Sequence, residues 1–174
     1  MASAFSHVAI PIALYAAFKS RDVNGKLLVA AMALSVIPDL DVIAFKLGIP
    51  YASQWGHRGF THSLVFAAGV SLFLILFSKQ LQSRPWIIFW FCFVSCTSHA
   101  LLDAMTNGGL GVALYWPFNS ERIFFPFTPI QVSPIGVSNF FTERGLAVIA
   151  SELWWILVPA LVFGVVGAAL RRRR

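Results

Sequence analysis

Five long runs of apolar residues constrain the fold of this 174-residue sequence more than any other feature. They cover 1–18, 27–45, 62–78, 85–105 and 146–170. A helix that crosses a bilayer needs roughly 20 mostly apolar residues, within a range of about 17–25. The sequence therefore predicts an all-α membrane protein, a bundle of about five transmembrane helices that forms a single integral-membrane domain over 1–174.

The composition agrees with an integral membrane protein. Hydrophobic residues make up 58% of the chain and charged residues only 11%, whereas soluble domains average roughly half apolar and a quarter charged. The mean hydropathy is +0.76. The two cysteines, Cys92 and Cys96, lie in one apolar run at i, i+4 spacing. This spacing predicts packing on one helix face and excludes a disulfide scaffold.

Basic residues are divided unevenly between the two ends of the predicted bundle. Nine lysines and arginines fall on one side and four on the other. The nine are Lys19, Arg21, Lys26, Lys79, Arg84 and the run 171–174. The positive-inside rule places the richer side in the cytoplasm. We therefore predict an extracytoplasmic N-terminus and a cytoplasmic C-terminus in a prokaryotic inner membrane.

Two other interpretations of the charge pattern are weaker. A net charge of +6 is typical of nucleic-acid binders, but the arginine run at 171–174 fits a membrane surface better, so we expect no nucleic-acid partner. A cleaved signal peptide at 1–18 would need a positive segment before its apolar run, whereas Lys19 and Arg21 follow it.

The segment 105–145 differs from the apolar runs in its turn-forming residues. It contains Pro117, Pro126, Pro129 and Pro134 among many aromatic residues. Proline argues against long regular structure, and aromatic rings are enriched at membrane interfaces. We predict a long, aromatic- and Pro-rich extracytoplasmic loop between the fourth and fifth helices.

Ionisable residues within the apolar runs lie at one level of the predicted bundle. All four histidines and three of the four aspartates fall at the extracytoplasmic end, and the exception is Asp22. Such residues are costly in a membrane and face a partner or a cavity. Imidazole and carboxylate are the ligands of zinc and related metals. We predict one or two divalent ions, with zinc favoured. The candidate ligands are His7, Asp39, His57, His62, His99 and Asp103.

The spacing within this set leaves alternatives open. His99 and Asp103 share a helix face at i, i+4 and can bind one ion or simply bond to each other. Asp39 and Asp41 would point about 200° apart on an ideal helix. An irregular turn after Pro38 would let both reach the site. Otherwise one is a ligand, and the other caps a helix or orients a histidine.

A second dense motif, at 56–63, contains Arg58 between two histidines. The forked guanidinium suits a phosphate group, and a metal beside an arginine can polarise a phosphoryl group. The alternative is that Arg58 only anchors to lipid headgroups. We expect Arg58 to act in catalysis, with Asp41 or Glu152 as general base. For Glu152, an ion pair with an arginine is the competing interpretation.

The ordered motifs resemble the YdjM-like family, which is described as membrane-bound metal-dependent hydrolases. The motifs that carry this resemblance are His7, Pro-Asp-Leu-Asp at 38–41, His-Arg-Gly-Phe-Thr-His-Ser at 57–63, His-Ala-Leu-Leu-Asp at 99–103 and Tyr-Trp-Pro-Phe at 115–118. The family is similar, more distantly, to zinc-dependent phospholipase C and single-strand-specific zinc nucleases. That similarity implies phosphate-ester cleavage, with His7, Asp39, His62, His99 and Asp103 as ligands. The chain has fewer histidines than a three-zinc site uses, which favours one or two ions.

The leading functional expectation is a metal-dependent hydrolase at the outer membrane–water interface, acting on a phosphate ester of a lipid or lipid-linked substrate. A peptidase or amidase would use the same metal chemistry, although the sequence has no His-Glu-x-x-His motif. A divalent metal transporter or metal sensor is the main alternative. Transport normally needs polar groups near the midplane, and the cytoplasmic halves of the apolar runs are nearly free of them. A purely structural role would leave the histidines unexplained.

Overall fold

The computed structural model describes residues 1–134, 140 and 142–173, and over these it is helical. Its α-helices are α1 (Ala4–Phe18), α2 (Gly25–Leu34), α3 (Ile43–Lys46), α4 (Leu64–Ile75), α5 (Ser78–Leu81), α6 (Pro85–Ala104), α7 (Glu143–Glu152) and α8 (Val158–Arg172). Two 3-10 turns, Ile37–Val42 and Phe60–His62, and a π-helical turn, Leu153–Leu157, complete them. The described residues contain two isolated β-bridges and no strand. The all-α prediction is confirmed.

Three helical stretches are long and apolar enough to cross a membrane. They are Gly25–Lys46, Pro85–Ala104 and Glu143–Arg172, with 22, 20 and 30 residues. The predicted spans 27–45, 85–105 and 146–170 fall on these stretches. The predicted spans 1–18 and 62–78 correspond to α1 and α4, which are apolar but have only 15 and 12 residues. An integral membrane protein is thus supported, while the five-span arrangement stays a prediction.

Small residues bring α1 and α8 close together. A Cβ atom on Gly167 would lie 2.4 Å from the Cβ of Ala17, so a larger residue would force the helices apart. Close approach through small residues is a common way for helices to pack in membranes. At the end of this contact Arg171 Nη1 donates a hydrogen bond to the Ala16 carbonyl at 2.6 Å. The pairing fixes the axial position of α1, and with it the depth of His7.

The face of α6 that points into the bundle changes character along its length. Cys92 and Cys96 are buried, free, and packed in an apolar core with α2 and α4. The packing role predicted for these cysteines is confirmed. His99 and Asp103 continue the same face toward the end of the helix and are fully buried. The apolar core therefore leads directly into the polar cluster.

The direction of the chain reverses at each connection, so the polar residues collect at one end. The start of α1, the turn after α2, the turn before α4 and the end of α6 all meet there. The segment 105–134 covers this end: Asn107 N donates to Ile130 O at 2.9 Å, and Val112 N to Ile123 O at 3.0 Å. Its exposed aromatic side chains include Phe118, at 88%. The remainder of the predicted loop, 135–139 and 141, lies outside the described residues.

Candidate metal centre

Six of the seven His and Asp residues at this end form two groups that can hold a metal ion. The donor atoms within each group all lie within 4.8 Å of one another. We call Asp39, His62, His99 and Asp103 the central group, and Asp41, His57 and His62 the flanking group. His62 belongs to both. Among the six predicted ligands, His7 is the one outside these groups, and it lies beside the central group as described below.

The two aspartates of the Pro-Asp-Leu-Asp motif approach His62 from different sides. Pro38 opens the tighter 3-10 turn Ile37–Val42, which replaces the ideal α-helical arrangement. Asp39 Oδ1 lies 3.8 Å from His62 Nε2, and Asp41 Oδ2 lies 3.2 Å from His62 Nδ1. The irregular turn thus lets both carboxylates reach one imidazole, although they are only two residues apart.

Hydrogen-bond partners define where the protons of His62 and His99 must point. His99 Nδ1 lies 2.8 Å from the Ser35 carbonyl, which can only accept, so this nitrogen carries a proton. Thr61 Oγ1 donates to Asp41 Oδ2 at 2.6 Å, and His62 Nδ1 faces the same carboxylate oxygen as a second donor. In the neutral form, each ring then has its lone pair on Nε2.

The two Nε2 atoms of His62 and His99 face each other at 3.0 Å. Two lone pairs at this separation repel, so the arrangement requires a positive charge between the rings. Either a shared proton or a metal ion supplies it. Two buried carboxylate oxygens, Asp39 Oδ1 and Asp103 Oδ2, lie beside the same two rings. Asp39 Oδ1 has no hydrogen-bond partner among the described residues, and Asp103 Oδ2 faces the Arg58 guanidinium, with Nε 3.0 Å away.

The distances within the central group match the spacing of metal ligands. Nitrogen and oxygen ligands about 2.1 Å from a tetrahedral zinc ion stand about 3.4 Å apart. His99 Nε2 lies 3.4 Å from Asp39 Oδ1, and His62 Nε2 lies 3.6 Å from Asp103 Oδ2. These separations exceed ordinary hydrogen-bond lengths. These two His–Asp separations therefore suit a shared ion better than direct hydrogen bonds, whereas the two histidines are only 3.0 Å apart.

His7 lies beside the central group and faces the other oxygens of the same carboxylates. Its Nε2 is 3.6 Å from Asp103 Oδ1 and 3.9 Å from Asp39 Oδ2. Its ring stacks on His99 with centroids 3.7 Å apart. The ring is fully buried, and neither nitrogen has a hydrogen-bond partner among the described residues. Buried polar groups normally have a hydrogen-bond partner, so His7 is available to interact with a ligand bound beside the two carboxylates.

The flanking group is held by hydrogen bonds. Asp41 Oδ1 pairs with His57 Nδ1, and Asp41 Oδ2 accepts from Thr61 Oγ1 and, at 3.0 Å, from the backbone nitrogen of Arg58. Both carboxylate oxygens are thus occupied by donors. Carboxylates in this position commonly orient metal-binding histidines through the ring nitrogen remote from the metal.

Arg58 is buried, and its guanidinium faces protein atoms on each side. Nε lies 3.0 Å from Asp103 Oδ2, Nη1 donates to Gly108 O at 2.8 Å, and Nη2 donates to Thr106 Oγ1 at 3.0 Å. Its backbone is left-handed, with φ of 63°. Such a conformation costs on the order of 1 kcal/mol and persists only where the surroundings enforce it. The contact of Arg58 with phosphate stays a prediction, because in this structure the guanidinium forms an ion pair with Asp103.

Glu152 lies at the end of α7, buried, and outside both groups. It accepts hydrogen bonds from the backbone nitrogen and the hydroxyl of Ser3. Next to Ser3, the backbone nitrogen of Ala2 donates to Asp103 Oδ1 at 2.7 Å. Glu152 therefore fixes the segment that contacts Asp103, and the described residues give it no arginine partner. Its expected role as general base stays untested.

Arg122 is a site residue that the sequence pattern did not single out. Its guanidinium donates to the carbonyls of His57, Tyr51 and Ser53 at 2.7–2.8 Å, and it stacks over the Tyr51 ring. Burial lowers the pKa of this guanidinium. It holds the backbone that carries His57 and Arg58. Its acceptors are backbone carbonyls about seventy positions away in the sequence. A side-chain motif therefore could not have predicted this role of Arg122.

Two comparisons with known proteins agree with the resemblance that the motifs show. The family described as YdjM inner membrane protein matches residues 1–174. The inner membrane protein YbcI of Escherichia coli strain K12 is 39% identical over 175 residues, covering 100% of both chains. No solved structure matches significantly. The family resemblance drawn from the motifs is confirmed.

Proposed function

Because the chain belongs to the YdjM family of inner membrane proteins, we propose that it is a membrane-embedded, metal-dependent hydrolase with one divalent ion in the central group. The observation that carries this proposal is the pair of opposed Nε2 atoms of His62 and His99, 3.0 Å apart, whose Nδ1 protons are directed elsewhere. The carboxylates of Asp39 and Asp103 complete a set of two nitrogen and two oxygen donors.

A metal ion accounts for this group better than a shared proton does. A proton would satisfy the two imidazoles and leave Asp39 Oδ1 buried without a hydrogen-bond donor, while Asp103 Oδ2 would face only the Arg58 guanidinium, with Nε 3.0 Å away. Leaving a buried group such as Asp39 Oδ1 unsatisfied costs about 1–3 kcal/mol or more. A divalent ion satisfies all four donors at once. Two imidazoles and two carboxylates suit zinc, the metal favoured from the sequence.

The surrounding residues keep the donors in place. Asp41 fixes the ring of His62 from the side remote from the central group, and Arg58 does the same for the carboxylate of Asp103. A bound ion of this kind lowers the pKa of its water to about 7 and polarises a phosphoryl oxygen. Among the four donors, Asp39 alone is part-exposed, with 13% of its side chain accessible. Substrate would therefore enter on the side of Asp39.

The substrate we propose is a phosphate ester of a lipid or lipid-linked molecule. The centre lies at the ends of apolar helices, and in the predicted five-span arrangement this would put it at the depth of lipid headgroups rather than at the middle of the bilayer. The covering segment exposes Tyr115, Phe118 and Phe127, which suit a membrane interface. Contact between Arg58 and a phosphate would require the segment with Thr106 and Gly108 to move. In its described position, Arg58 is a support for Asp103.

The test is hydrolysis by the full chain in lipid nanodiscs, loaded with zinc or stripped by chelator. The panel contains phosphomonoesters, phosphodiesters, acyl esters and peptides. We expect chelator-sensitive release from phosphate esters and about one ion per chain. His99→Ala should lose both, because it removes a direct ligand. Ser98→Ala is the matched control on the same helix, since its hydroxyl only contacts Ser95 O.

Other outcomes of this experiment would overturn parts of the proposal. Release of fatty acid or peptide with phosphate esters intact would refute the phosphoryl assignment and retain the metal centre. Zinc flux across sealed vesicles without hydrolysis of any compound would support a transporter. No zinc binding at micromolar free metal would leave a shared proton as the charge between the rings.

A further inference from the structure

A groove of about 930 Å³ lies between the end of α1 and α8, at the end of the bundle opposite the metal centre. Phe18, Val162, Phe163 and Val166 are among its lining residues, and each of these side chains is at least 47% exposed. The groove follows α8 from Val158 to Arg171. At 1.5 Å per residue this distance is about 20 Å, which suits a long acyl chain.

Two cations stand at one end of this apolar groove. Lys19 follows the last turn of α1, and Arg171 lies on the last turn of α8. Arg171 Nη1 is anchored on Ala16 O, which holds the guanidinium at the groove. The described residues that line the groove include no aspartate or glutamate. The combination of an apolar groove and a cationic end has the complementary chemistry of an anionic lipid.

We propose that the α1–α8 groove binds an anionic glycerophospholipid. One acyl chain lies along α8, and the phosphate lies between Lys19 and Arg171. This site is separate from the proposed hydrolase centre and does not depend on it. The predicted orientation puts the groove in the cytoplasmic leaflet, which contains anionic lipids. A second copy of the chain is a poorer occupant, since exposed Arg172 and Arg173 would bring like charges together.

Native mass spectrometry of the full chain from mixed phosphatidylglycerol and phosphatidylethanolamine nanodiscs tests the headgroup. We expect retention of phosphatidylglycerol in preference to phosphatidylethanolamine. The double variant Lys19→Gln with Arg171→Gln should weaken phosphatidylglycerol binding about 30-fold, because two near-surface charges are removed. The control is Lys26→Gln with Arg173→Gln, which removes the same charge from exposed positions that do not line the groove.

A second pair of variants tests the acyl-chain part. Val166→Trp fills the groove and should reduce retention of phosphatidylglycerol. Ala169→Trp adds bulk on α8 at an exposed position outside the groove, and should not. Equal retention of both lipids, equal loss in variants and controls, or a dimer that forms without lipid and is broken by Val166→Trp would each overturn the proposal. Zinc content should stay unchanged in all four variants, which separates this site from the metal centre.

Discussion

The two ends of the helical bundle differ in the burial of their ionisable side chains. At the candidate metal centre His7, His99 and Asp103 are completely buried. At the other end Arg84 donates to Asp22 through its backbone nitrogen and its guanidinium at 2.9–3.1 Å, and the Arg84 side chain is 64% exposed. At both ends, polar side chains link connections between helices. The Asp22–Arg84 pair does so with charges in contact with water, and the His/Asp cluster does so with groups removed from water.

This difference indicates which end has a function beyond folding. An exposed ion pair closes a loop at little cost, as Asp22 and Arg84 do between the α1–α2 and α5–α6 connections. Burying carboxylates and imidazoles costs several kcal/mol per ion unless a counter-charge compensates it. Arg58 lies beside Asp103, whereas Asp39 has only imidazoles beside it. A protonated imidazole or the divalent ion that we propose would balance the remaining negative charge, and the exposed pair is already balanced.

The largest expected effect concerns which end faces the cytoplasm. Phe118→Cys lies on the segment that covers the metal centre, and Gln80→Cys lies on α5 at the basic end. Both positions are exposed. A membrane-impermeant thiol reagent should label Phe118→Cys, and not Gln80→Cys, in intact cells. The parent chain is the control, because Cys92 and Cys96 are buried. The reverse labelling would place the metal centre on the cytoplasmic face.

Matched aspartate changes compare the two ends directly. Asp103→Asn keeps the side-chain shape but removes the charge that faces buried Arg58, so we expect a loss of about 3–5 kcal/mol in unfolding free energy. It should also lower the zinc content. Asp22→Asn, at the exposed pair, should change stability little and zinc content not at all. Thermal unfolding in detergent and elemental analysis measure both. Similar losses in the two variants would refute the contrast between the ends.

Alanine at two histidines separates the central group from the flanking group. His62→Ala removes a direct ligand and should abolish stoichiometric zinc binding. His57→Ala removes a partner of Asp41 and should weaken zinc affinity about 10–100-fold while retaining one ion. Zinc titration of both variants against a competing chelator measures the affinity and the number of bound ions. Complete loss of zinc in both would mean that the flanking group binds metal itself.

The smallest effect is a pH dependence at the exposed end. The hydrogen bond from the Arg84 side chain lowers the pKa of Asp22. A carboxyl group with a lowered folded-state pKa stabilises the fold above its unfolded pKa of about 3.9, and this stabilisation is lost as the pH falls through the folded value. The stability difference between the parent chain and Asp22→Asn should therefore shrink below about pH 4 and at high salt. A constant difference from pH 3 to 7 would contradict this origin.

The arrangement of polar residues at one end was predictable because helix length fixes depth. His99 lies near the end of one long apolar run and His62 begins another, so the sequence alone put them at one level. Family membership was also predictable from the 57–63 and 99–103 motifs, and the comparison confirmed it. The length of the apolar runs did not determine the number of spans, since α1 and α4 are shorter than the runs in which they lie.

What the sequence by itself determined is the class of protein, the end at which histidine and aspartate collect, and the donor types available for a metal. The tertiary structure decided which atoms face each other. Arg58 contacts Thr106 across 48 positions, and Glu152 contacts Ser3 across 149. Such pairings depend on how α1, α6 and α7 pack, and no local periodicity encodes them. The opposed Nε2 atoms of His62 and His99 arise in the same way, because the 3-10 turn that contains His62 packs against α6.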